Sequence, residues 1–440
     1  MTRPTVFALS TAPGKAGLAV LRVSGPRARD AAEKLAGKIP PPRRAALLAL
    51  RHPDSGEVLD RGLVLFFPAP NSFTGEDVVE FHVHGGRASV AGVLDALSAL
   101  EGLRPAEPGE FTRRGFENGR LDLSEAEALA DLIDAETAAQ RRQALDGMTG
   151  GIGAAAEEWR ARLIEIQALV EAEIDFSDEG DVPSGLLDRA REQAQLLADD
   201  VERILAQGSS GERLREGASV VIAGPPNAGK SSFLNAVARR DVVIVSPHAG
   251  TTRDVVEVAL DLGGYPVTLI DTAGLRDSAD EVEQEGVRRA RARAEAADLV
   301  LWFEEAGATT PEAVPDFGVT CWRVLNKIDL QGQKAAEAPE TFQLSVRTGE
   351  GLERLLAALS AWLVESFRQS APVVITRARH RAALEEALAD LRRAGEGGDK
   401  PPELIAEDLR LSSRALGRIS GRVDVEEVLG SIFSSFCIGK

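Results

Sequence analysis

The sequence has very little cysteine and no long apolar run, and both shortages limit what the protein can be. Only Cys321 and Cys437 occur among 440 residues, so a disulfide framework is excluded and a reducing, cytoplasmic setting is expected. The longest apolar segments, such as residues 218–223, are far shorter than the roughly 20 residues that a membrane helix needs. The first residues also lack the basic start and apolar core of a signal peptide.

Positive charge is in deficit as well. The chain carries 51 lysines and arginines against 69 aspartates and glutamates, which gives a formal net charge of −18. This balance argues against nonspecific coating of nucleic acid, but it is compatible with a local basic groove because net charge does not report where charges lie. Hydrophobic residues make up 44% and charged residues 27%, as in proteins with folded cores, and the length indicates about three domains.

Composition and periodicity change along the chain, which predicts its domains. Strand-like runs and glycine or proline punctuation occur up to about residue 120, and a long helical pattern follows a capping-box signal at Ser124 and Glu127. Strand and helix patterns then alternate, as in βαβ units of a parallel sheet, before the chain becomes helical again. We therefore predict an α/β domain inserted into a helical domain, a fold class of α/β plus all-α. The predicted boundaries are 1–120 for an N-terminal α/β domain, 121–213 and 372–440 for the two parts of the helical domain, and 214–371 for the inserted domain.

Within these domains the pattern predicts strands at residues 6–9, 18–23 and 78–83 and a helix at 87–100. It predicts a helical stretch from 124 to about 176 with a break at the glycine cluster 147–153, and further helices at 186–207, 377–393 and 402–419.

Residues 224–231 (GPPNAGKS) form a P-loop motif between a strand-like run and a helical pattern. Gly224 and Gly229 allow the tight backbone path that directs N–H groups at phosphate oxygens, and the following helix adds its N-terminal dipole. We expect Lys230 to reach the β- and γ-phosphates and the Ser231 hydroxyl to bind Mg²⁺.

Two further motifs follow the P-loop in the order found in GTPases. Residues 250–254 (GTTRD) supply a switch threonine, Thr252, expected to close over Mg²⁺ when a γ-phosphate is present. Residues 271–274 (DTAG) come after a strand-like run. There Asp271 suits the outer shell of Mg²⁺, and the backbone N–H of Gly274 can sense the γ-phosphate.

The last two motifs select the base. In residues 326–329 (NKID), the Asp329 carboxylate can accept hydrogen bonds from both the N1–H and the exocyclic amine of guanine, a donor pair that adenine lacks. Residues 344–347 (LSVR) are expected to close the base pocket with a backbone N–H. All five motifs in order predict a GTPase.

The glutamine that orients water in Ras-type GTPases is missing, because Leu275 follows the DTAG motif. Glu283, in the acidic cluster 280–283, is a candidate for placing the attacking water. The alternative is that this cluster only complements the dipole of a helix N-terminus.

Six segments outside the GTPase motifs are also distinctive. They are residues 18–25 (LAVLRVSG), 71–77 (NSFTGED), Glu80 with 84–86 (HGG), 108–114 (PGEFTRR), 118–123 (NGRLDL) and 436–440 (FCIGK). Together with the GTPase motifs they make nearly the whole chain similar to one family, the MnmE (TrmE) tRNA-modification GTPases. The resemblance implies an N-terminal α/β domain like folate-binding domains, a helical domain, and a Ras-like P-loop GTPase domain inserted into it.

The resemblance also implies partners and a reaction. The chain would form a homodimer through its N-terminal domains and a heterotetramer with a flavin-dependent partner, MnmG (GidA), which carries FAD and uses NADH. The two proteins would add an aminomethyl or carboxymethylaminomethyl group to carbon 5 of the wobble uridine in certain tRNAs. The one-carbon unit would come from 5-formyltetrahydrofolate or another tetrahydrofolate derivative.

Carried over by position, the folate contacts fall on Arg22, Glu80, Arg120 and Lys440. A carboxylate at position 80 suits the N–H donors of a pterin, and cations suit the glutamate tail of folate. Cys437 has two interpretations, which are redox or covalent chemistry near the folate site and simple packing against a helix.

Activation by K⁺ is a further implication of the resemblance, with the ion between the α- and γ-phosphates in place of an arginine finger. Its ligands map onto Asn227, Ser246, His248 and Thr251. Pro247 and His248 depart from the acidic and aliphatic residues expected there, although position 248 contributes a backbone carbonyl. Val346 stands where alanine is usual, and the match favours Glu283 as the residue that orients water.

The expected site residues form three sets. The candidate catalytic residues are Glu283, Lys230 and Cys437, and the Mg²⁺ ligands are Ser231 and Thr252. The residues expected at GTP are Asn227, Ala228, Gly229, Lys230, Ser231, Ser232, Ser246, Pro247, His248, Ala249, Gly250, Thr251, Thr252, Asp271, Thr272, Ala273, Gly274, Asn326, Lys327, Ile328, Asp329, Ser345, Val346 and Arg347.

The alternative from another class is a regulatory GTPase of ribosome assembly, a binding switch without modification chemistry. The GTPase motifs do not separate the two hypotheses. The N-terminal 120 residues and the tail at 437–440 do separate them, since an assembly factor has no use for a folate site.

Overall fold

The architecture consists of two compact units, each with its own sheet. A computed structural model describes residues 3–175, 185–206, 210–240, 244, 257–271, 288, 291–307, 314–330, 338–367, 375–423, 426–434, 436 and 438–439. The first unit comprises residues 1–130, 147–197 and 386–440, and the second comprises residues 131–146 and 198–385. Within the described ranges, no helix is both long enough and apolar enough to cross a membrane.

The first unit contains a six-stranded sheet with the order β3-β4-β5-β2-β1-β6. Its strands are β1 (Thr5–Leu9), β2 (Ala19–Ser24), β3 (Ala46–Arg51), β4 (Val58–Phe67), β5 (Val78–Val83) and β6 (Leu103–Pro105). Neighbours are antiparallel except for the parallel pair β1 and β6. The sequence predicts β1, β2 and β5 but not β3 or β4. The reason is that β3 is rich in alanine and leucine, which are weak strand formers, and β4 has charges and a glycine in place of regular alternation.

Alternation along these strands gives the sheet two faces. Helices α1 (Ala28–Ala36) and α2 (Arg87–Ser98) cover one face, and their apolar side chains pack with Leu21 and Phe81, which are fully buried. The opposite face contributes Val6 and Ala8, which pack against Phe111 of α3 (Glu110–Glu117). Because side chains alternate between faces, Arg22 and Glu80 lie on this second face, next along the chain from Leu21 and Phe81.

Helices dominate the rest of the chain outside the second sheet. The elements are α4 (Leu123–Asp134), α5 (Ala138–Met148), α6 (Gly151–Asp175), α7 (Leu186–Leu205), α8 (Ser210–Glu216), α9 (Lys230–Val237), α10 (Leu352–Ser366), α11 (Ala378–Gly395), α12 (Pro402–Ser420) and α13 (Glu426–Ser434). Within the first unit α6 packs along α12. The predicted helices at 186–207, 377–393 and 402–419 are confirmed to within about two residues.

The capping box predicted at Ser124 and Glu127 is wrong, because helix α4 begins earlier. The Asp122 carboxylate accepts a hydrogen bond from the Glu125 N–H at 2.8 Å, and the Glu125 carboxylate accepts one from the Asp122 N–H at 2.8 Å. Aspartate and glutamate at this spacing cap a helix as serine and glutamate do. The earlier start also places Leu123 in the helix, where it is fully buried.

A second helix start lies at residues 135–137, and the sequence pattern does not predict it. There the Gln140 amide oxygen accepts the Thr137 N–H at 3.1 Å, and the Thr137 hydroxyl accepts the Gln140 N–H at 3.4 Å. This reciprocal pair starts α5 and divides the predicted helical stretch before its glycine cluster. The cluster itself is only partly a turn, since Gly153 lies inside α6, where a Cβ atom would come within 2.2 Å of the Ser124 hydroxyl.

The second unit contains another six-stranded sheet, with the order β12-β11-β10-β7-β9-β8. Its strands are β7 (Ala218–Ala223), β8 (Glu257–Leu262), β9 (Tyr265–Asp271), β10 (Leu299–Glu305), β11 (Cys321–Asn326) and β12 (Thr341–Gln343). All neighbours are parallel except β8 and β9, which pair antiparallel. The prediction of a purely parallel sheet is therefore wrong at this edge. A turn at Gly263 and Gly264, both with positive φ, joins β8 to β9 too directly for a crossover helix.

Four motifs follow the carboxyl ends of strands in this sheet. The P-loop follows β7, the DTAG motif begins at the last residue of β9, the NKID motif begins at the last residue of β11, and the LSVR motif follows β12. In a parallel α/β sheet these ends lie at one edge, which is where ligands bind.

Candidate functional site

The P-loop has a backbone that only glycine permits at two points. Gly224 has φ 134°, and a Cβ atom there would lie 2.1 Å from the Phe303 carbonyl oxygen. Gly229 has φ 95°, and a Cβ atom there would lie 2.1 Å from the Asn326 amide nitrogen. Asn227 also has a positive φ of 63°, which asparagine tolerates better than most residues. The loop therefore passes close to β10 and β11 before α9 begins at Lys230.

The Lys230 side chain is folded back over this loop. Its Nζ donates hydrogen bonds to the carbonyl oxygens of Gly224 at 2.8 Å and Pro225 at 2.9 Å. Burial lowers the pKa of Lys230, against an opposing effect of the nearby Asp271 carboxylate. A cation that is 7% exposed and held beside the N-terminus of a helix is suited to phosphate oxygens.

Oxygen atoms suited to a divalent cation lie beside the start of α9. The Ser231 hydroxyl donates a hydrogen bond to Asp271 Oδ2 at 2.8 Å. Asp271 Oδ1 is buried and has no hydrogen-bond partner within the described ranges. A hydroxyl next to a carboxylate with one uncommitted oxygen fits Mg²⁺, which prefers hard oxygen ligands and keeps several waters.

Asn326 connects three of the motifs. Its amide nitrogen donates to the Ala228 carbonyl in the P-loop at 2.8 Å, and its amide oxygen accepts the N–H of Val346 at 3.1 Å. The asparagine is 2% exposed, so it holds the loops at fixed positions relative to each other. One backbone N–H of the segment 344–347, which is expected to close the base pocket, is thus engaged by Asn326.

Asp329 is oriented by two neighbours. The Ser345 hydroxyl donates to Asp329 Oδ1 at 2.6 Å, and Arg347 Nε lies 3.3 Å from Asp329 Oδ2. The hydrogen bond from Ser345 lowers the pKa of Asp329, with a smaller contribution from Arg347. The carboxylate is therefore ionised at neutral pH and acts only as an acceptor.

A cavity of about 580 Å³ adjoins these groups. Its lining includes Ser232, Asn326, Lys327, Asp329, Ser345 and Val346. The Lys327 ammonium pairs with Glu305 at 2.6 Å, and Ile328 starts a short 3₁₀ turn that presents Asp329. The wall of the cavity thus carries an ionised carboxylate acceptor, as a guanine site requires.

The structure thus brings together the P-loop, Asp271 and the two base motifs. The remaining predicted residues of the GTP, metal and catalytic sets, and one of the folate set, lie outside the described residues. They are Ser246, Pro247, His248, Ala249, Gly250, Thr251, Thr252, Thr272, Ala273, Gly274, Glu283, Cys437 and Lys440.

A second cluster lies in the first unit, on the face of the sheet opposite α1 and α2. Arg22 and Glu80 are directly opposite each other on β2 and β5. The guanidinium donates from Nε and Nη2 to Glu80 Oε1 at 3.1 and 2.9 Å. The other carboxylate oxygen, Oε2, lies 3.2 Å from His82 Nε2. Glu80, which the sequence assigns to pterin N–H groups, therefore already has two protein partners.

Two aromatic rings flank this cluster, and sequence reasoning missed both. The Arg22 guanidinium carbon lies 5.3 Å from the ring centre of Phe73 and 5.7 Å from that of Phe111, within the range of cation–π attraction. Both phenylalanines belong to segments that carry the family resemblance. The sequence therefore marks both segments as distinctive, but no spacing rule predicts that residues 22, 73 and 111 lie together.

Arg120 lies beside the loop that carries Phe73, and the C-terminal tail lies beside the segment that precedes α3. A Cβ atom at Gly75, in the loop that carries Phe73, would lie 3.2 Å from Arg120 Cγ. The tail pairs through a bridge between Ile438 and Pro108, and the Gly439 carbonyl accepts a hydrogen bond from Ser10 at 3.0 Å. Gly439 thus lies beside the segment that follows β1.

The P-loop, the Ser231–Asp271 oxygens and the base cavity define a P-loop GTPase that carries a separate N-terminal α/β domain. Two family models match the chain. One is described as the MnmE helical domain and matches residues 123–437, and the other is described as the GTP-binding protein TrmE N-terminus and matches residues 5–120.

Curated relatives match along the full length. A "tRNA modification GTPase MnmE" from Rhodopseudomonas palustris is 55% identical and covers 99% of both chains. One from Parvibaculum lavamentivorans is 55% identical and covers 99% of this chain and 100% of its own. Among solved structures, the G domain of the T. maritima FeoB iron transporter is 25% identical over 34% of this chain and 99% of that one, with a TM-score of 0.25. The chain belongs to the MnmE family of tRNA modification GTPases, and the predicted fold class and GTPase activity are confirmed.

Proposed function

We propose that this chain hydrolyses GTP to drive modification of the wobble uridine of certain tRNAs. With an FAD- and NADH-dependent partner of the MnmG (GidA) type, it would add an aminomethyl or carboxymethylaminomethyl group to carbon 5. The observation that carries this proposal is the cluster formed by Arg22 and Glu80 between two aromatic rings, with the C-terminal tail nearby. A GTPase that acts only as a switch has no use for such a site.

GTP would be held by the groups already in place in the second unit. Lys230 would exchange its loop carbonyls for the β- and γ-phosphate oxygens, and the N–H groups at the start of α9 would face the same charge. Ser231 and Asp271 would hold Mg²⁺, which neutralises phosphate charge when bound. Asp329 would accept the two donors of guanine, with Asn326 keeping the base loops against the P-loop.

Hydrolysis would depend on residues that lie outside the described ranges. Thr252 would complete the Mg²⁺ site, and Glu283 would orient the attacking water, since Leu275 has no polar group to do so. K⁺ would supply the charge that an arginine finger supplies in other GTPases. Asn227 would be one of its ligands, and its amide on a left-handed turn of the P-loop is compatible with that role.

The folate derivative would bind in the first unit. Arg22, Arg120 and Lys440 would meet its carboxylates, and Glu80 would exchange a present partner for a pterin N–H donor. The bound folate would supply the one-carbon unit. An aromatic ring and cations near one another fit a flat, acidic ligand of this kind, because the half-buried Phe73 can stack on the pterin while cations pair with the tail. Phe111 is fully buried and would support the site from behind.

A second copy of the chain would cover the open face of the N-terminal sheet. Leu47 and Leu63 are paired across β3 and β4 on that face and are 70% and 40% exposed. Leu63 is also opposite His82, so the exposed leucines adjoin the Arg22–Glu80 cluster. Exposed apolar side chains grouped in this way mark association surfaces. We therefore propose a homodimer through this face, a heterotetramer with the flavoprotein, and action in the cytoplasm.

A reconstituted reaction tests the proposal. The full-length chain, an MnmG-type partner, unmodified tRNA, GTP, K⁺ and 5-formyltetrahydrofolate should yield the modified uridine, detected by mass spectrometry of nucleosides. Omission of GTP or folate, or replacement of K⁺ by Na⁺ at equal ionic strength, should abolish or strongly slow the reaction. Asn227→Ala should remove the difference between K⁺ and Na⁺ in GTP hydrolysis. Equal product with and without folate would contradict the proposed carbon source.

A further inference from the structure

The surroundings of Arg22 are built from two separate segments. Phe73 lies in the loop 71–77, and Phe111 lies in helix α3, whereas Arg22 itself lies on strand β2. Their ring centres are 5.3 and 5.7 Å from the guanidinium carbon. The position of each ring is therefore set by how the loop and the helix are fixed, and not by the strand that carries the arginine.

One buried arginine connects the loop to the helix. Arg114 belongs to helix α3 and is 0% exposed. Its Nη1 lies 3.0 Å from Glu76 Oε2 in the loop, which links the helix to the loop, while its Nη2 lies 2.8 Å from Glu110 Oε1, one turn earlier in the same helix. The same Nη2 donates to the Pro4 carbonyl at 2.8 Å. The segments that carry the two rings thus meet at a single guanidinium.

Both carboxylates are themselves held in place by other groups. Glu76 Oε2 accepts a hydrogen bond from the Ser24 hydroxyl at 2.7 Å, and Ser24 is two residues along β2 from Arg22, on the same face. Glu110 accepts bonds from Arg104 at 2.6 and 2.8 Å. Burial alone would raise the pKa of Glu110, but the hydrogen bonds from Arg104, the Glu107 amide and Arg114 outweigh it and lower the pKa. Both partners of Arg114 are therefore fixed acceptors.

An arginine is required at this point by geometry. Its planar fork can donate in two directions at once, whereas a lysine ammonium on a flexible stem cannot reproduce both contacts with fixed orientation. Arg114 is fully buried, so it cannot contact a bound folate directly. Its neighbour Arg113 is different, since it is half exposed and pairs with Glu117 along the helix surface.

We propose that Arg114 is the positioning residue of the folate site: by linking helix α3 to Glu76 of the loop, with Glu110 orienting its side chain, it sets Phe73 and Phe111 around Arg22, and so fixes the Arg22 guanidinium for an anionic ligand. This inference rests on the proposed folate function. It assigns Arg114 no contact with the folate itself.

The first test is a titration of the full-length protein with 5-formyltetrahydrofolate by calorimetry. Arg114→Lys should weaken binding by at least about tenfold, because the charge stays but the second link is lost. Arg113→Lys makes the same change on the exposed side of the helix and should leave the dissociation constant unchanged. If Arg114→Lys does not fold, Glu76→Gln replaces it, since this variant weakens only the link to the loop.

A double-mutant comparison separates positioning from general stability. If Arg114 acts through Arg22, the double variant Arg22→Ala, Arg114→Lys should bind folate no more weakly than Arg22→Ala alone. Additive losses would show that Arg114 acts on the ligand by another route and would overturn the proposal. Unchanged affinity in Arg114→Lys would overturn it as well.

A measurement without folate keeps the inference testable if the wild-type protein binds none. In protein labelled with 4-fluorophenylalanine, the fluorine resonances of Phe73 and Phe111, assigned by replacing each with leucine, should shift in Arg114→Lys and not in Arg113→Lys. No heat with wild type would contradict the folate function alone. Unshifted resonances would contradict the positioning role whatever the ligand.

Discussion

At the scale of single residues, we propose that Asp329 determines which base the GTPase site accepts. Its carboxylate is held by Ser345 and Arg347, and its lowered pKa keeps it ionised. An ionised carboxylate offers acceptors only, and guanine presents two adjacent donors. The selection therefore depends on charge and on the orientation that Ser345 imposes.

We expect Asp329→Asn to lose guanine nucleotides and gain xanthine nucleotides, because an amide offers one donor and one acceptor. GDP affinity should fall by more than about tenfold, the value of a hydrogen bond to a charged group. Titration of GDP and xanthosine diphosphate against the variant measures both. Asp316→Asn, the same change at an exposed turn of this unit, is the control, and unchanged GDP affinity in Asp329→Asn would remove Asp329 from the base site.

Replacement of Glu283 by alanine should slow hydrolysis roughly 10²-fold and leave GTP binding nearly intact. The reason is that water orientation acts in the transition state, so the loss appears in kcat. Single-turnover hydrolysis and nucleotide titration measure the two effects. Glu281→Ala changes the same acidic cluster and should hydrolyse GTP at the wild-type rate. Equal rates of hydrolysis for wild type and Glu283→Ala would show that another group orients the attacking water.

At the scale of elements, local signals in the sequence predict which motifs lie at the ends of strands. The P-loop, Asp271 and the two base motifs all follow strands that end at one edge of the second sheet. Short motifs succeed there because each residue acts through nearby backbone. The Arg22 cluster could not be predicted in the same way, since its rings come from a loop and a helix far apart in the chain and meet only through tertiary packing.

Helix α4 shows how a local signal can mislead. Serine and aspartate both cap helices, and the segment 122–127 offers both at capping-box spacing. The earlier start of α4 is favoured because it buries Leu123 within the helix. The box at Thr137 and Gln140 was equally present in the sequence, but the continuous apolar pattern around it favoured one long helix.

We expect Asp122→Ala to destabilise the first turn of α4 by about 1 kcal/mol, the usual value of an N-cap. Ser124→Ala should cost less, because the Ser124 hydroxyl only donates to Asp122 and the cap bond from Asp122 to the Glu125 N–H remains. Amide hydrogen exchange of residues 123–127 compares the variants. Faster exchange in Ser124→Ala than in Asp122→Ala would restore the serine as the cap.

At the scale of the whole molecule, a chain with a net charge of −18 must act on a polyanion. Nonspecific attraction to tRNA is therefore weak, and recognition has to come from local surfaces or from the flavoprotein partner that we propose.

The homodimer can be tested at Leu47. Leu47→Glu places a charge within the exposed apolar face of the N-terminal sheet and should convert dimers to monomers in sedimentation velocity. Leu196→Glu is the matched control, because Leu196 on α7 is 54% exposed and should not affect association. Dimers that persist in Leu47→Glu would place the interface on another surface.

We propose that GTP hydrolysis by this chain serves modification of the wobble uridine. Mass-spectrometric analysis of tRNA nucleosides from a deletion strain tests it most directly, with complementation by the wild-type gene, by Lys230→Ala and by Arg22→Ala. The account predicts loss of the 5-aminomethyl-type uridines in the deletion strain, recovery with wild type, and no recovery with either variant. A full set of modified uridines in the deletion strain, together with a defect in ribosome assembly, would contradict the account and favour a regulatory GTPase.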